Sequence, residues 1–258
     1  MGQDNLEPAA SAPPEGGLPP GTFMTAERQV LAILFSVEEL TSLRHKAPAA
    51  LIVRPVVQHV RTRRIVPARA FVRLSDDDME TVDRATTVFA SEFEPPIGQA
   101  KLPLILPQSF RTVAGRRGRA ALTNITKGDS QALRKRLIVE LTDLDRGTPS
   151  GRLAEVVGLL NAMCKGVFAR LQPGRDAAGP IRDVRLQGVT LDGTDLPGSD
   201  SDAVAALLDF ADQARGLAPL LVAQSLSDEG FTDVAEVAGF THVSQREQLS
   251  PDAAEIAA

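Results

Sequence analysis

The residues whose types could do chemistry are few and widely spaced. Glu140 stands alone in the apolar run Leu137-Ile138-Val139-Glu140-Leu141. An acid in such a run serves as a ligand, a base, or half of a buried ion pair. Asp76, Asp77 and Asp78 form a triplet behind Ser75. Hard divalent cations take carboxylate oxygens, so the triplet has the chemistry of a metal site. Helix capping explains it better. Serine is a good N-cap, and acids in the first turn suit the positive end of the helix dipole. His45, His59 and His242 are too far apart for zinc spacing. Cys164, at the end of Leu-Leu-Asn-Ala-Met, reads as a small buried residue rather than a nucleophile. No P-loop or G-x-G-x-x-G is present. Arginines are abundant, Arg54, Arg69, Arg73 and Arg170 among them. A guanidinium suits bidentate contacts to phosphate. Equally, these arginines can pair with acids such as Glu140 and Asp143.

The elements that must position these groups follow from periodicity. Residues 49–74 read as two strands around a basic connection. Helices are expected at Ala26 to His45, with Val30, Leu31, Leu34, Val37, Leu40 and Leu43 at helical spacing, and from Ser75 to about Glu94. Strands and helices then alternate. Strands fall at 102–106, 137–141, 167–171, 184–191, 220–223 and 242–244. Helices fall at 109–122, 151–163, 203–215 and 231–238. Such alternation implies parallel βαβ units, and eight strands close naturally into a barrel.

The chain has 258 residues, 43% of them hydrophobic, enough for one large domain with a real core. No apolar run has the roughly 20 residues of a membrane helix. The N-terminus has no secretory signal. One cysteine fits a reducing, cytoplasmic setting. The net charge of −5 conceals a polarity: residues 44–136 carry 18 basic and 8 acidic side chains, residues 137–258 carry 9 and 19. The halves either neutralise each other or offer a basic face to an acidic partner. Nucleic acid is disfavoured, because the chain is acidic and shows no reading helix or aromatic platform.

The stretch Arg54 to Leu74 resembles the opening of the EAL family, the cyclic-di-GMP phosphodiesterases, which read Q-P-I/V-V-D-L-R-T-G-R-I-V and then G-x-E-A-L-x-R. On this match Arg54 stands for the glutamine, Arg69-Ala70-Phe71 for E-A-L, and Arg73 for the phosphate-binding arginine. LPLILPQS at 102–109 is similar to v-N-l-S, with Pro107 replacing the metal-binding asparagine. LIVELTD at 137–143 keeps Glu140 and Thr142. In VFARLQPG, Arg170 and Leu171 replace two metal-binding aspartates. Thr190-Leu191-Asp192 is matched to K-x-D. In LLVAQSLSDEG, Gln224 and Ser227 replace two glutamates, and Ser244 replaces the terminal glutamine.

The resemblance implies an α/β fold, a TIM-like (β/α) barrel of the EAL type. It is trimmed outside and carries an extra N-terminal helix. The expected organisation is a disordered tail at 1–22, the helix at 23–47, the barrel at 48–246 and a C-terminal tail at 247–258. Arg69 and Arg170 put cations where the family's metals sit, so no metal, no cofactor and no catalysis are expected. The implied function is a regulatory protein-interaction module in cyclic-di-GMP-linked bacterial signalling. The alternative is a sensor that binds cyclic-di-GMP or another anionic nucleotide without cutting it. Its ligand would meet Arg54, Arg69, Arg73, Glu140, Arg170, Asp192 and Gln224. A protein partner is implied, and a homodimer stays open.

Overall fold

Ten strands form one sheet in the computed structural model, which describes residues 21–126, 131–144, 147–174 and 176–246, the side chains of 68, 69, 72 and 131 excepted. The strands are β1 (Thr22–Met24), β2 (Val30–Ser42), β3 (Ala47–His59), β4 (Ile65–Val66), β5 (Leu104–Ser109), β6 (Leu137–Thr142), β7 (Gly166–Arg170), β8 (Gly188–Asp192), β9 (Leu220–Leu226) and β10 (His242–Gln245). The sheet order is β1-β2-β10-β9-β8-β7-β6-β5-β3-β4, and β2 also pairs with β3. That last pairing closes eight strands into a ring. β2 runs antiparallel to both its neighbours, β3 and β10, while the other ring pairings are parallel. The helices are α1 (Asp76–Glu92), α2 (Phe110–Ala114), α3 (Arg116–Ile125), α4 (Gln131–Arg134), α5 (Ser150–Asn161), α6 (Asp200–Ala214) and α7 (Glu229–Ala238).

Strand alternation sorts each strand into an outer and an inner set. Leu51, Val53, Leu104, Leu106, Val139, Val167 and Ala223 join the large cluster under the helices. Leu40, Ala50, Ile52, Ile105, Ile138, Phe168 and Val222 form a separate cluster within the ring. Each such fully buried side chain stabilises the fold by about 1.5–3 kcal/mol. Gly188 makes room for the largest of them. A Cβ there would lie 2.8 Å from the Phe168 ring.

The start of the chain departs from the helix expected at Ala26 to His45. Residues 30–42 of that segment form β2, a wall of the barrel, in place of a helix outside it. The helical spacing of Val30, Leu31 and Leu34 is a coincidence that pairing overrides. β2 is matched residue for residue with β3, from Leu31↔His59 to Ser42↔Ala47 with one irregularity at Leu40/Thr41. The strand pair expected at 49–74 is therefore shifted. The hairpin is β2–β3, and residues 68–73 form a short 3-10 helix outside the barrel wall. The tails expected at 1–22 and 247–258 lie outside the described residues, except that Thr22 already begins β1.

The strand expected at 184–191 is Gly188–Asp192 and the helix expected at 109–122 is split into α2 and α3, while the helix after Ser75 stands as expected. α1 begins after Ser75, whose hydroxyl oxygen accepts the Asp78 N–H at 3.2 Å. Asp78 in turn accepts from the Ser75 hydroxyl at 2.7 Å and from the Ala26 N–H at 3.3 Å. The acid triplet thus works as a cap and tethers α1 to the β1–β2 turn. Among the described residues, the connection after Gly174 holds only the 3-10 turn Gly179–Ile181, which trims the barrel's outside there.

Candidate functional site

Toward the carboxyl ends of the parallel strands, the inner residues turn from apolar to polar. Two positions beyond Ile52, Ile138, Phe168 and Val222 stand Arg54, Glu140, Arg170 and Gln224. Thr190 and Asp192 occupy the inner positions of β8, and β2 adds Glu38. The period-two rule and the parallel register thus bring side chains far apart in sequence into one layer.

They form a closed network. Arg170 donates to Glu140 Oε2 from Nε (3.1 Å) and from a terminal nitrogen (2.6 Å), and sits 3.0 Å from Asp192 Oδ2. Arg54 donates to Asp192 Oδ2 (2.6 Å) and Gln224 Oε1 (2.9 Å) and pairs with Glu38 at 3.3 Å. Thr190 Oγ1 and Gln224 Nε2 each donate to Glu140 Oε1 at 2.7 Å. Ser225 and Ser244 hydroxyls donate to Glu38. The Thr194 N–H donates to Asp192 Oδ1. Glu140 is fully buried and Asp192 is 1% exposed. Burial pushes the Asp192 carboxyl up, but Arg54 and Arg170 more than reverse this and hold it well below the ordinary carboxylate range. Burial likewise weakens the Arg170 charge. Glu140 and Asp192 overcome that, so its guanidinium stays protonated well above its usual value.

Five of the seven residues expected from sequence therefore meet: Arg54, Glu140, Arg170, Asp192 and Gln224. Arg73 does not; it is exposed at the end of the 3-10 helix. The Arg69 side chain lies outside the described residues. Glu38, Ser225 and Thr190 complete the network. Glu38 was hidden by the helical reading of its segment. Its signal was an acid inside a run of apolar residues.

A cavity of about 450 Å³ opens beside the network, lined by Arg54, Arg170, Arg111, Asp143, Phe71 and Phe110 among others. Arg111 is tied to Asp76 (3.0 Å) and Asp143 (3.5 Å). Asp83, 3% exposed, forms part of this wall and accepts the Ser109 N–H at 3.1 Å. Burial raises its pKa to about 7, against the opposing pull of Thr112 and the Ser109 N–H.

No known family pattern and no curated protein matches the chain in sequence. Solved structures do match in shape. A standalone EAL protein from Vibrio cholerae O395, in its cyclic-di-GMP-bound form, is 13% identical with a TM-score of 0.59, over 83% of this chain and 90% of that one. An EAL domain protein from Listeria monocytogenes EGD-e is 10% identical, TM-score 0.58, over 83% and 85%. The Bacillus subtilis YkuI protein, with an EAL domain in complex with cyclic-di-GMP and calcium, is 12% identical, TM-score 0.64, over 84% and 55%.

The barrel is of the EAL type.

On this EAL-type barrel, Arg69-Ala70-Phe71 falls outside the wall, so its match to E-A-L is displaced. The residue that the hairpin's second strand carries into the mouth is Arg54. The family's chemistry implies divalent metals, and the residues present do not fit them. Each oxygen of Glu140 and Asp192 already meets a hydrogen-bond donor. Two guanidiniums stand within 3.0 Å of Asp192 Oδ2, where a cation would be repelled. Among the described residues no group of three or more His, Cys, Asp or Glu is placed to hold a metal. No helix among them is long and apolar enough to cross a membrane.

Proposed function

We propose that this EAL-type barrel is non-catalytic and acts as a regulatory protein-interaction module in cyclic-di-GMP-linked signalling. The observation that carries the reading is the pairing of Arg54 and Arg170 with Glu140 and Asp192. Phosphodiester hydrolysis of this class uses divalent cations to polarise phosphate and to activate water. Here fixed guanidinium charges already neutralise the carboxylates. The test is turnover of cyclic-di-GMP by the full chain with Mg²⁺ or Mn²⁺. No product above background is expected, and turnover abolished by Glu140→Ala would overturn the reading. Partner capture must keep residues 30–42, because deleting β2 opens the barrel.

A second reading has its own support. Arg54, Arg111 and Arg170 all line the 450 Å³ cavity, and arginine is suited to phosphate. The site would then bind cyclic-di-GMP or another anionic nucleotide without metal. Calorimetry with cyclic-di-GMP in EDTA tests it. Binding lost in Arg111→Ala supports it, and silence at high micromolar ligand removes it.

A further inference from the structure

The hairpin β2–β3 continues past the barrel. His59 lies five residues beyond Arg54 on the same strand, about 17 Å at the usual rise. The overhang is packed rather than floppy. Phe23, Leu31, Ile33, Val57, Phe71, Met79 and Val82 form a second core that fastens it to α1. At its tip the β3–β4 turn carries Arg61, Arg63 and Arg64, all exposed. The turn is held in one shape. The Arg63 N–H donates to His59 O (2.8 Å), the His59 N–H to Arg64 O (2.9 Å), and Gln58 Nε2 to Arg63 O (2.7 Å). Arg63 takes a positive φ of 57°. Arg28 stands exposed on the neighbouring β1–β2 turn, which the Val60 N–H bond to Val30 O (3.1 Å) holds alongside.

None of these four arginines has a carboxylate partner among the described residues. Glu27, next to Arg28 in sequence, accepts from Gln29. Beside the arginines, Ile65 is 53% exposed on β4, the last strand in the sheet order. A chain of net charge −5 thus displays a rigid basic knob with an apolar residue at its side.

We propose that the β3–β4 turn is a docking surface for an acidic segment of a partner protein that also carries apolar residues. This rests on the interaction-module reading above and names the partner's chemistry. Arginine's planar fork pairs bidentately with carboxylates. Alternate residues of an extended peptide are about 7 Å apart, which suits cations clustered in one turn. Ile65 asks for an apolar neighbour that a phosphate backbone does not provide. Among the described residues none of the exposed large apolar side chains is aromatic, so bases would find no aromatic stacking platform. Pro67, directly after β4, lacks an N–H and keeps that sheet edge short.

The experiment is fluorescence polarisation of a labelled peptide of alternating Glu and Val against the full chain at low salt. A Lys–Val peptide, a short DNA duplex and phosphatidylglycerol vesicles are run alongside. The Glu–Val peptide binds, and the triple variant Arg61→Ala, Arg63→Ala, Arg64→Ala weakens it at least about ten-fold. Ile65→Ser weakens it about three-fold. Both variants keep the parent's melting temperature, since these side chains are exposed. Triple-variant affinity within two-fold of the parent overturns the proposal. Tighter binding of duplex or vesicles than of peptide also overturns it. Cyclic-di-GMP turnover is measured on the same samples. Turnover would sink the non-catalytic reading without touching this one, and failure of the Glu–Val peptide to bind the parent chain would do the reverse.

Discussion

Replacing Arg170 with methionine should expose how strongly the mouth of the barrel depends on its ion pairs. Glu140 is completely buried and takes two of its hydrogen bonds from Arg170, at 2.6 and 3.1 Å. Stranding one partner of a buried pair costs about 3–5 kcal/mol. The lower end applies here. Glu140 keeps Thr190 and Gln224, and Asp192 keeps Arg54 and Thr194. A loss of about 3 kcal/mol lowers the melting temperature of a domain this size by about 6–12 °C. Adding Glu140→Gln removes the stranded charge, so the double variant should recover more than half of the loss. Urea unfolding followed by circular dichroism measures both. If Arg170→Met costs under about 1 kcal/mol, or the double variant is no more stable than the single, the network is not a buried, mutually dependent pair. The site is then not self-neutralised.

Asp83 supplies a pH signature of opposite sign to Asp192. Its folded pKa is about 7 against 3.8 unperturbed, so the folded state holds the extra proton between those values. Its contribution falls as pH rises through that window and levels off above about 7. Asp192, held low, contributes above the ordinary carboxylate range and loses this as pH falls. Asp83→Asn should therefore raise the melting temperature more at pH 8 than at pH 5; an equal shift at both would show that Asp83 is not desolvated. The part-buried Cys164 Sγ lies 3.0 Å from Leu160 O and 3.1 Å from Gly166 O, and burial pushes the thiol pKa up. Iodoacetamide should modify it at least about 100-fold more slowly in the native protein than in urea. Equal rates would contradict its packing.

The barrel class was legible in the alternation of strands and helices from Leu102 onward, because parallel strands buried on both faces read as short apolar runs. The polar layer was partly legible as well. Glu140, Arg170 and Gln224 interrupt such runs, and a charge in a buried strand must find a partner. The first hairpin was not legible. Val30, Leu31, Leu34, Val37 and Leu40 satisfy helical spacing, and nothing local reveals that Leu31 faces His59 and Val243 faces Thr41 across the sheet. The motif match put Arg69 at the barrel mouth, whereas the hairpin's second strand carries Arg54 there and residues 68–73 lie in a 3-10 helix.

Periodicity pointed to an α/β barrel built mainly of parallel strands, and the resemblance to the EAL family implied arginines at positions where that family carries acids. Which arginine meets which acid was decided only by tertiary structure. Closing the ring through β2 brings Glu38 to Arg54 and sets β8 beside β7, which lets Asp192 bridge Arg54 and Arg170. Pairings between residues as far apart as Arg54 and Asp192 depend on strand register. Register is a property of the closed sheet and not of any one strand.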